Sequence, residues 1–235
     1  NFMLFLFRDN YKSIAELSAK ELRLGGLRID PKTNIGSRVT YYNNVKIRNL
    51  KNQKSEITQV KGLPKNPKLS NISWSPDQKR IALTNTTETG VELWVLELEN
   101  GSVTKLTESN LNSNIGSVIN WFSDSENMLV KMISNNRRPL IDTNKIVPDG
   151  PTISTNFGEK AQNRTYQDLL KNKFDEHNFE QLSTSTIYKV SIDGSVKKWM
   201  DDGMYRTISF SPNGEYVMIS QINKPFSYLV TYSRF

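Results

Sequence analysis

Three segments of this 235-residue chain repeat one another. They are Ile72-Ser73-Trp74-Ser75-Pro76-Asp77-Gln78, Ile119-Asn120-Trp121-Phe122-Ser123-Asp124-Ser125 and Ile208-Ser209-Phe210-Ser211-Pro212-Asn213-Gly214. Each alternates apolar with polar residues and then breaks into a tight turn, where Pro and Asp or Asn supply the backbone angles required. Each turn leads into a second apolar run, at 80–84, 127–133 and 216–220. A repeat constrains a fold strongly, because each unit has to bury its faces against its neighbours. The aromatic anchors Trp74 and Trp121 lie 47 residues apart, which matches one blade of a β-propeller at roughly 40–50 residues per blade.

The next anchor, Phe210, comes 89 residues later, nearly twice that interval. Two hairpins explain the difference. Runs at 91–98 and 102–106 flank Glu99-Asn100-Gly101, and runs at 186–192 and 195–199 flank Asp193-Gly194. Asn-Gly and Asp-Gly between alternating runs are strong hairpin signals. The blade that starts at Trp121 therefore gains its outer strands only after an insertion over 135–183. Residues 1–8 read as a second strand with no first, followed by outer strands at 39–50 and 56–60. Residues 226–232 read as a third strand with no fourth. The expected fold is all-β: one partial propeller domain over 1–235, with about two whole four-stranded blades and two incomplete ones. A small irregular β-sandwich is the rival reading. Incomplete blades expose strand edges, so edge-mediated self-association is expected.

Two stretches, 9–38 and 135–183, interrupt the pattern between the second and third strands of their blades. Both are expected to be mixed helix and loop. In the first, Ser13 caps a short helix over Ile14, Ala15, Glu16, Leu17 and Leu22, which Gly25-Gly26 ends. In the second, Tyr166, Leu169, Leu170 and Phe174 have helical spacing over 165–179. Excursions this long either pad one face of the disc or form lids and binding elements. Within a blade, second-to-third connections share a face, so both should emerge on the same side.

Little chemistry is encoded. There is no cysteine, so no thiolate nucleophile or Cys-ligated metal, and His177 is the only histidine. No Gly-x-Ser-x-Gly nucleophile elbow, phosphate loop or calcium loop occurs. His177 sits in the polar run Asp175-Glu176-His177-Asn178 and reads as a solvated helix position. Asp9, Asp30, Asp77 and Asp124 stand where turns favour Asp. The net charge of +7 is spread along the chain, without the basic and aromatic clustering that nucleic-acid binding needs. The longest apolar run, 2–7, is too short to cross a membrane or to serve as a signal peptide. No cofactor or metal is expected, and this chain alone should hydrolyse no peptide bond.

Several strings nevertheless resemble the N-terminal propeller of prolyl oligopeptidase-family serine peptidases, in particular the glutamyl endopeptidase branch. They are Ser13-Ile14-Ala15-Glu16-Leu17, Glu21-Leu22-Arg23-Leu24, Gly26-Leu27-Arg28-Ile29-Asp30-Pro31, Thr33-Asn34 and Ser37-Arg38. Further on come Trp74-Ser75-Pro76-Asp77, Arg164-Thr165-Tyr166-Gln167-Asp168-Leu169-Leu170 and Ser211-Pro212-Asn213-Gly214. Lys224-Pro225-Phe226-Ser227-Tyr228-Leu229-Val230 and Ser233-Arg234-Phe235 close the series. The turn motifs are common to many propellers, whereas those in the insertions are specific.

The resemblance implies a parent protein in which the propeller caps a C-terminal α/β-hydrolase domain that lies outside this chain and carries Ser, Asp and His. Such an enzyme would cleave peptides after acidic residues, Glu above all. The chain's own part would be non-catalytic gating and positioning of peptide substrate, with that hydrolase domain as partner. Bacterial relatives are commonly exported, which leans toward a periplasmic or secreted setting. Selecting Glu requires neutralising a carboxylate, which Arg does best through paired hydrogen bonds. Arg137, Arg138 and Arg164, in the long insertion, are the candidate substrate-binding residues. The alternative functions are an autonomous propeller module binding a protein or glycan and a periplasmic scaffold of a transport complex.

Overall fold

The computed structural model describes residues 2–51, 54–142, 145, 157–158 and 166–232. It opens with β1 (Phe2–Phe7), the one-turn helix α1 (Ile14–Leu17), and a small antiparallel sheet of β2 (Leu22–Leu24), β3 (Leu27–Asp30) and β4 (Ile35–Gly36). Next, β5 (Asn44–Asn49) returns to pair along all of β1, and β6 (Thr58–Gln59) pairs with β5. Two antiparallel meanders follow. One contains β7 (Leu69–Trp74), β8 (Arg80–Thr86), β9 (Val91–Glu97) and β10 (Ser102–Lys105). The other contains β11 (Ile119–Trp121), β12 (Asn127–Ile133), β13 (Ser185–Ser191) and β14 (Val196–Gly203), with helix α2 (Lys173–Ser183) between β12 and β13. A two-stranded sheet of β15 (Tyr205–Phe210) and β16 (Val217–Gln221) ends the strand order.

The fold is mostly β, built of several small antiparallel sheets, and its cores lie between consecutive sheets. Val45 and Ile47 of β5 pack on Ile81, Leu83 and Leu96 of the first meander. Ala82, Leu93 and Val95 face across to Trp121, Met128, Val130 and Val190 of the second. Leu129 and Ile187 meet Tyr205 and Ile208 in turn. Because β8 and β12 are covered on both faces, they read as almost continuous apolar runs rather than alternating ones. Trp121 Nε1 donates to the Ser73 carbonyl oxygen across one such gap at 3.2 Å.

Two of the three repeated turns share one device. Ser75 Oγ accepts from Arg80 N at 2.9 Å and donates to Asp77 Oδ1 at 2.6 Å; Ser211 Oγ accepts from Tyr216 N at 3.0 Å and donates to Asn213 Oδ1 at 2.6 Å. In the middle repeat, Asp124 Oδ1 accepts from the amides of Glu126 and Asn127, each at 2.9 Å. Burial raises the pKa of Asp77, but hydrogen bonds from Ser75 and Lys79 outweigh it and leave the carboxyl below its ordinary value. These carboxylates are occupied as turn formers.

Four expectations need correction. The first insertion is not only helix and loop, since it contains the β2–β3–β4 sheet. Gly25-Gly26 do not end a helix: α1 stops at Leu17, and the two glycines, at φ +59 and +85, form the hairpin between β2 and β3. The second helix begins at Lys173, where Asn172 caps it by accepting from Asp175 N at 2.9 Å, rather than at 165. Residues 226–232 form no strand; Phe226 and Tyr232 instead pack on Phe179 of α2 at centroid distances of 5.3 and 5.1 Å. Among the described residues, no helix is long and apolar enough to cross a membrane.

Candidate functional site

Residues 8–43 connect the paired strands β1 and β5, and 134–184 connect the paired strands β12 and β13. The described parts of these two connections meet. Leu24, Leu27 and Ile29 from the first, Leu170, Phe179 and Leu182 from the second, and Ile222 and Phe226 from the chain's end share one buried cluster. Gly25 is required there, because a Cβ at that position would stand 2.9 Å from the Tyr232 ring.

Charged groups clamp the same junction. Arg28 Nε donates to Asp168 Oδ2 at 2.7 Å, with both side chains mostly buried, and Arg28 Nη1 lies 3.7 Å from Glu21 Oε1. Ser37 Oγ donates to Glu21 Oε2 at 2.6 Å and, with Arg23, outweighs the opposing effect of burial to hold that carboxyl below its usual range. Asp168 sits at φ +62, and its carbonyl accepts from Gly26 N at 2.8 Å. Deeper in, Asn34 Nδ2 donates to Asn112 Oδ1 at 2.7 Å, and Asn112 Nδ2 reaches the carbonyls of Leu182 and Thr184 at 2.9 and 3.0 Å. Distant motifs noted in the sequence thus meet in space, and packing accounts for their specificity.

The arginine candidates separate. Arg137 is half-buried, its guanidinium has no hydrogen-bond or ion-pair partner among the described residues, and burial lowers its pKa. Such a group can take a carboxylate through paired hydrogen bonds. Arg138 is exposed, its Nη2 lies 3.8 Å from Glu180 Oε2, and Lys224 Nζ reaches Glu180 Oε1 at 2.7 Å. Arg164 lies outside the described residues. His177 Nε2 is 3.0 Å from the Pro139 carbonyl oxygen, a contact that fastens α2 to the start of its connection. Among the described residues, no group of three or more His, Asp or Glu side chains is placed to hold a metal.

Two features were not anticipated. Lys131, in the middle of β12, is 1% exposed, and its Nζ donates to the Ile115 carbonyl oxygen. A polar cleft also runs between α1 and the rim of the β7–β10 sheet. Its residues come from separate stretches of chain, so no local pattern announced it.

No family model matches the chain. Curated relatives do. The chain is 30% identical over 245 aligned residues to a protein of Oryza sativa subsp. japonica named "Probable glutamyl endopeptidase, chloroplastic", covering 99% of this chain and 26% of that protein. It is also 30% identical over 249 aligned residues to an Arabidopsis thaliana protein of the same name, covering 99% of this chain and 25% of that one. The chain thus spans about a quarter of the length of these relatives. Among solved structures, the uncomplexed acylaminoacyl peptidase of Pyrococcus horikoshii aligns with 91% of this chain and 28% of its own, at 18% identity and a TM-score of 0.41.

Proposed function

Since the chain is homologous to glutamyl endopeptidases along nearly its whole length, we propose that it is the propeller portion of a serine endopeptidase. In this reading it forms part of a disc of blades that gates and positions peptide for an α/β-hydrolase domain carried elsewhere in the protein. The reaction is hydrolysis of a peptide bond with a preference for Glu. The observation that carries the reading is the match at 30% identity over 99% of this chain. Supporting it, the long connections converge on one junction, as a gating surface requires.

Arg137, Arg138 and Arg164 are the proposed contacts for the substrate carboxylate, and Arg137 is favoured because its charge is half-buried and has no partner among the described residues. The test is kinetic and uses the full-length protein. Arg137→Met should raise KM for Glu-containing peptides about tenfold with kcat little changed, the signature of lost binding that ground and transition states share. Arg138→Met and Arg164→Met should raise it less. Unchanged KM in all three variants ends the role of these arginines. A full-length protein that cleaves no Glu-containing peptide ends the peptidase reading itself.

A further inference from the structure

The turn that carries Arg137 is held from two sides. β12 ends at Ile133, and the turn after it closes on a long backbone hydrogen bond, from Arg137 N to the Ser134 carbonyl oxygen at 3.2 Å. Side chains supply the rest. Ser134 Oγ accepts from Asn136 N at 3.0 Å and donates to Asp202 Oδ2 at 2.6 Å, and Asn136 Nδ2 donates to the same oxygen at 2.9 Å. From the other side, Gln181 Oε1 on α2 accepts from Arg138 N at 2.7 Å. Ser134 and Gln181 are 5% and 7% exposed, so close packing fixes both anchors.

Asp202 reaches this turn because β14 is irregular. Between the pairs Ser185–Gly203 and Ile187–Met200, β13 has Thr186 alone whereas β14 has both Asp201 and Asp202. Such a bulge re-aims side chains. The two aspartates part company there. Asp201 is exposed and pairs with Lys198 at 2.5 Å. Both oxygens of Asp202 are taken, Oδ1 by the Thr186 hydroxyl and Oδ2 by the turn. Desolvation raises the pKa of Asp202, but hydrogen bonds from Ser134, Thr186 and Asn136 outweigh it and hold the carboxyl below its ordinary value.

Arg137 needs such a hold. Its guanidinium is half-buried, with no hydrogen-bond or ion-pair partner among the described residues. Withdrawing a cation from water without a partner is unfavourable, so a loose turn would swing it outward. We propose that Asp202 and Gln181 are positioning residues, which fix the 134–138 turn so that Arg137 stays half-buried and available to the substrate carboxylate, and which thereby set a preference for Glu over Gln. A side chain fixed before binding loses less entropy when its ligand arrives. The inference rests on the peptidase reading for its substrate, whereas the hold on the turn is independent of it.

The test joins hydrogen exchange of the 235-residue chain with kinetics of the full-length protein. Asp202→Ala should speed amide exchange over 134–138 about tenfold, the effect of losing hydrogen bonds to a charged group. It should raise KM for a Glu peptide about fivefold, with kcat little changed and KM for the matched Gln peptide as before. Gln181→Ala should act in the same direction, Asp202→Asn should restore part of the loss, and Asp201→Ala should change neither readout. In an Arg137→Met background, Asp202→Ala should alter the Glu-to-Gln ratio no further. Circular dichroism checks folding, and Asn136→Ala, which removes one exposed donor, replaces Asp202→Ala if that variant is not folded. Unchanged exchange, equal losses on both peptides, or additive losses with Arg137→Met overturn the proposal. Faster exchange in a protein that cleaves no Glu peptide ends the peptidase reading and the selectivity role with it, and leaves the hold on the turn standing.

Discussion

Lys131 is a charge-bearing side chain placed where water cannot reach. It is 1% exposed, its Nζ donates to the Ile115 carbonyl oxygen, and no carboxylate pairs with it among the described residues. Burial alone pulls its pKa from 10.5 to about 7, and that difference corresponds to about 5 kcal/mol. The folded-state value is the lower one, so between the two values the unfolded chain binds the proton and the folded chain does not. Stability therefore rises as pH climbs from about 7 toward 10.5, and the full penalty stands below about 7. Lys131→Met removes the penalty but strands the Ile115 carbonyl, which costs about 1–3 kcal/mol. The variant should thus be more stable than the parent by about 2–4 kcal/mol near pH 6.5. Near pH 9.5 only about 1 kcal/mol of penalty remains, so the gain should vanish. Urea denaturation at both values measures this as a shift in midpoint at constant m. A variant less stable than the parent near pH 6.5, or a gain equal at both values, would refute the reasoning.

Three further outcomes follow from the packing. Arg28→Met should cost about 1–3 kcal/mol by stranding Asp168, and a double-mutant cycle with Asp168→Asn should return part of that loss; additive losses would remove the clamp between the connections. Gly116→Ala should destabilise by about 3 kcal/mol or more, because Gly116 sits at φ +58 and its added Cβ would stand 2.0 Å from the Arg206 carbonyl oxygen; a neutral result in urea denaturation would contradict that approach. Among the described residues no strand pairs with the outer edge of β1, where Met3 and Phe7 are exposed, so light scattering should show self-association rising with concentration and reduced by Met3→Lys/Phe7→Lys; a strict monomer at every concentration would count against it.

What could be read from the sequence was whatever local chemistry determines. Ser75-Pro76-Asp77 and Ser211-Pro212-Asn213 specify their turns through side chains two to five residues from the groups they bond. Asp193-Gly194 gives the β13–β14 hairpin, with Gly194 at φ +86. The Gly25-Gly26 hairpin was also legible, since Leu22 and Leu24 alternate on one side and Leu27 and Ile29 on the other; a helix start at Ser13 obscured it. Residues 226–232 alternate like a strand, yet the rings of Phe226 and Tyr232 are drawn onto Phe179, a tertiary preference that no local window contains. Lys131 gave no sign of burial. It occupies a position that would face water in a one-sided sheet, but β12 is covered on both faces. The cleft was invisible for a simpler reason, since Lys12, Thr33, Lys68 and Thr86 meet only after folding.

The central claim is that this chain works as the non-catalytic propeller portion of a serine endopeptidase. The most direct measurement is the sequence of the reading frame beyond the codon for Phe235. The account predicts a downstream segment of α/β-hydrolase pattern containing Gly-x-Ser-x-Gly, in which a strand-to-helix turn presents the nucleophile, with Asp and His following it in chain order. A frame that terminates without such a segment, or continues into a domain lacking the pentapeptide, would contradict it.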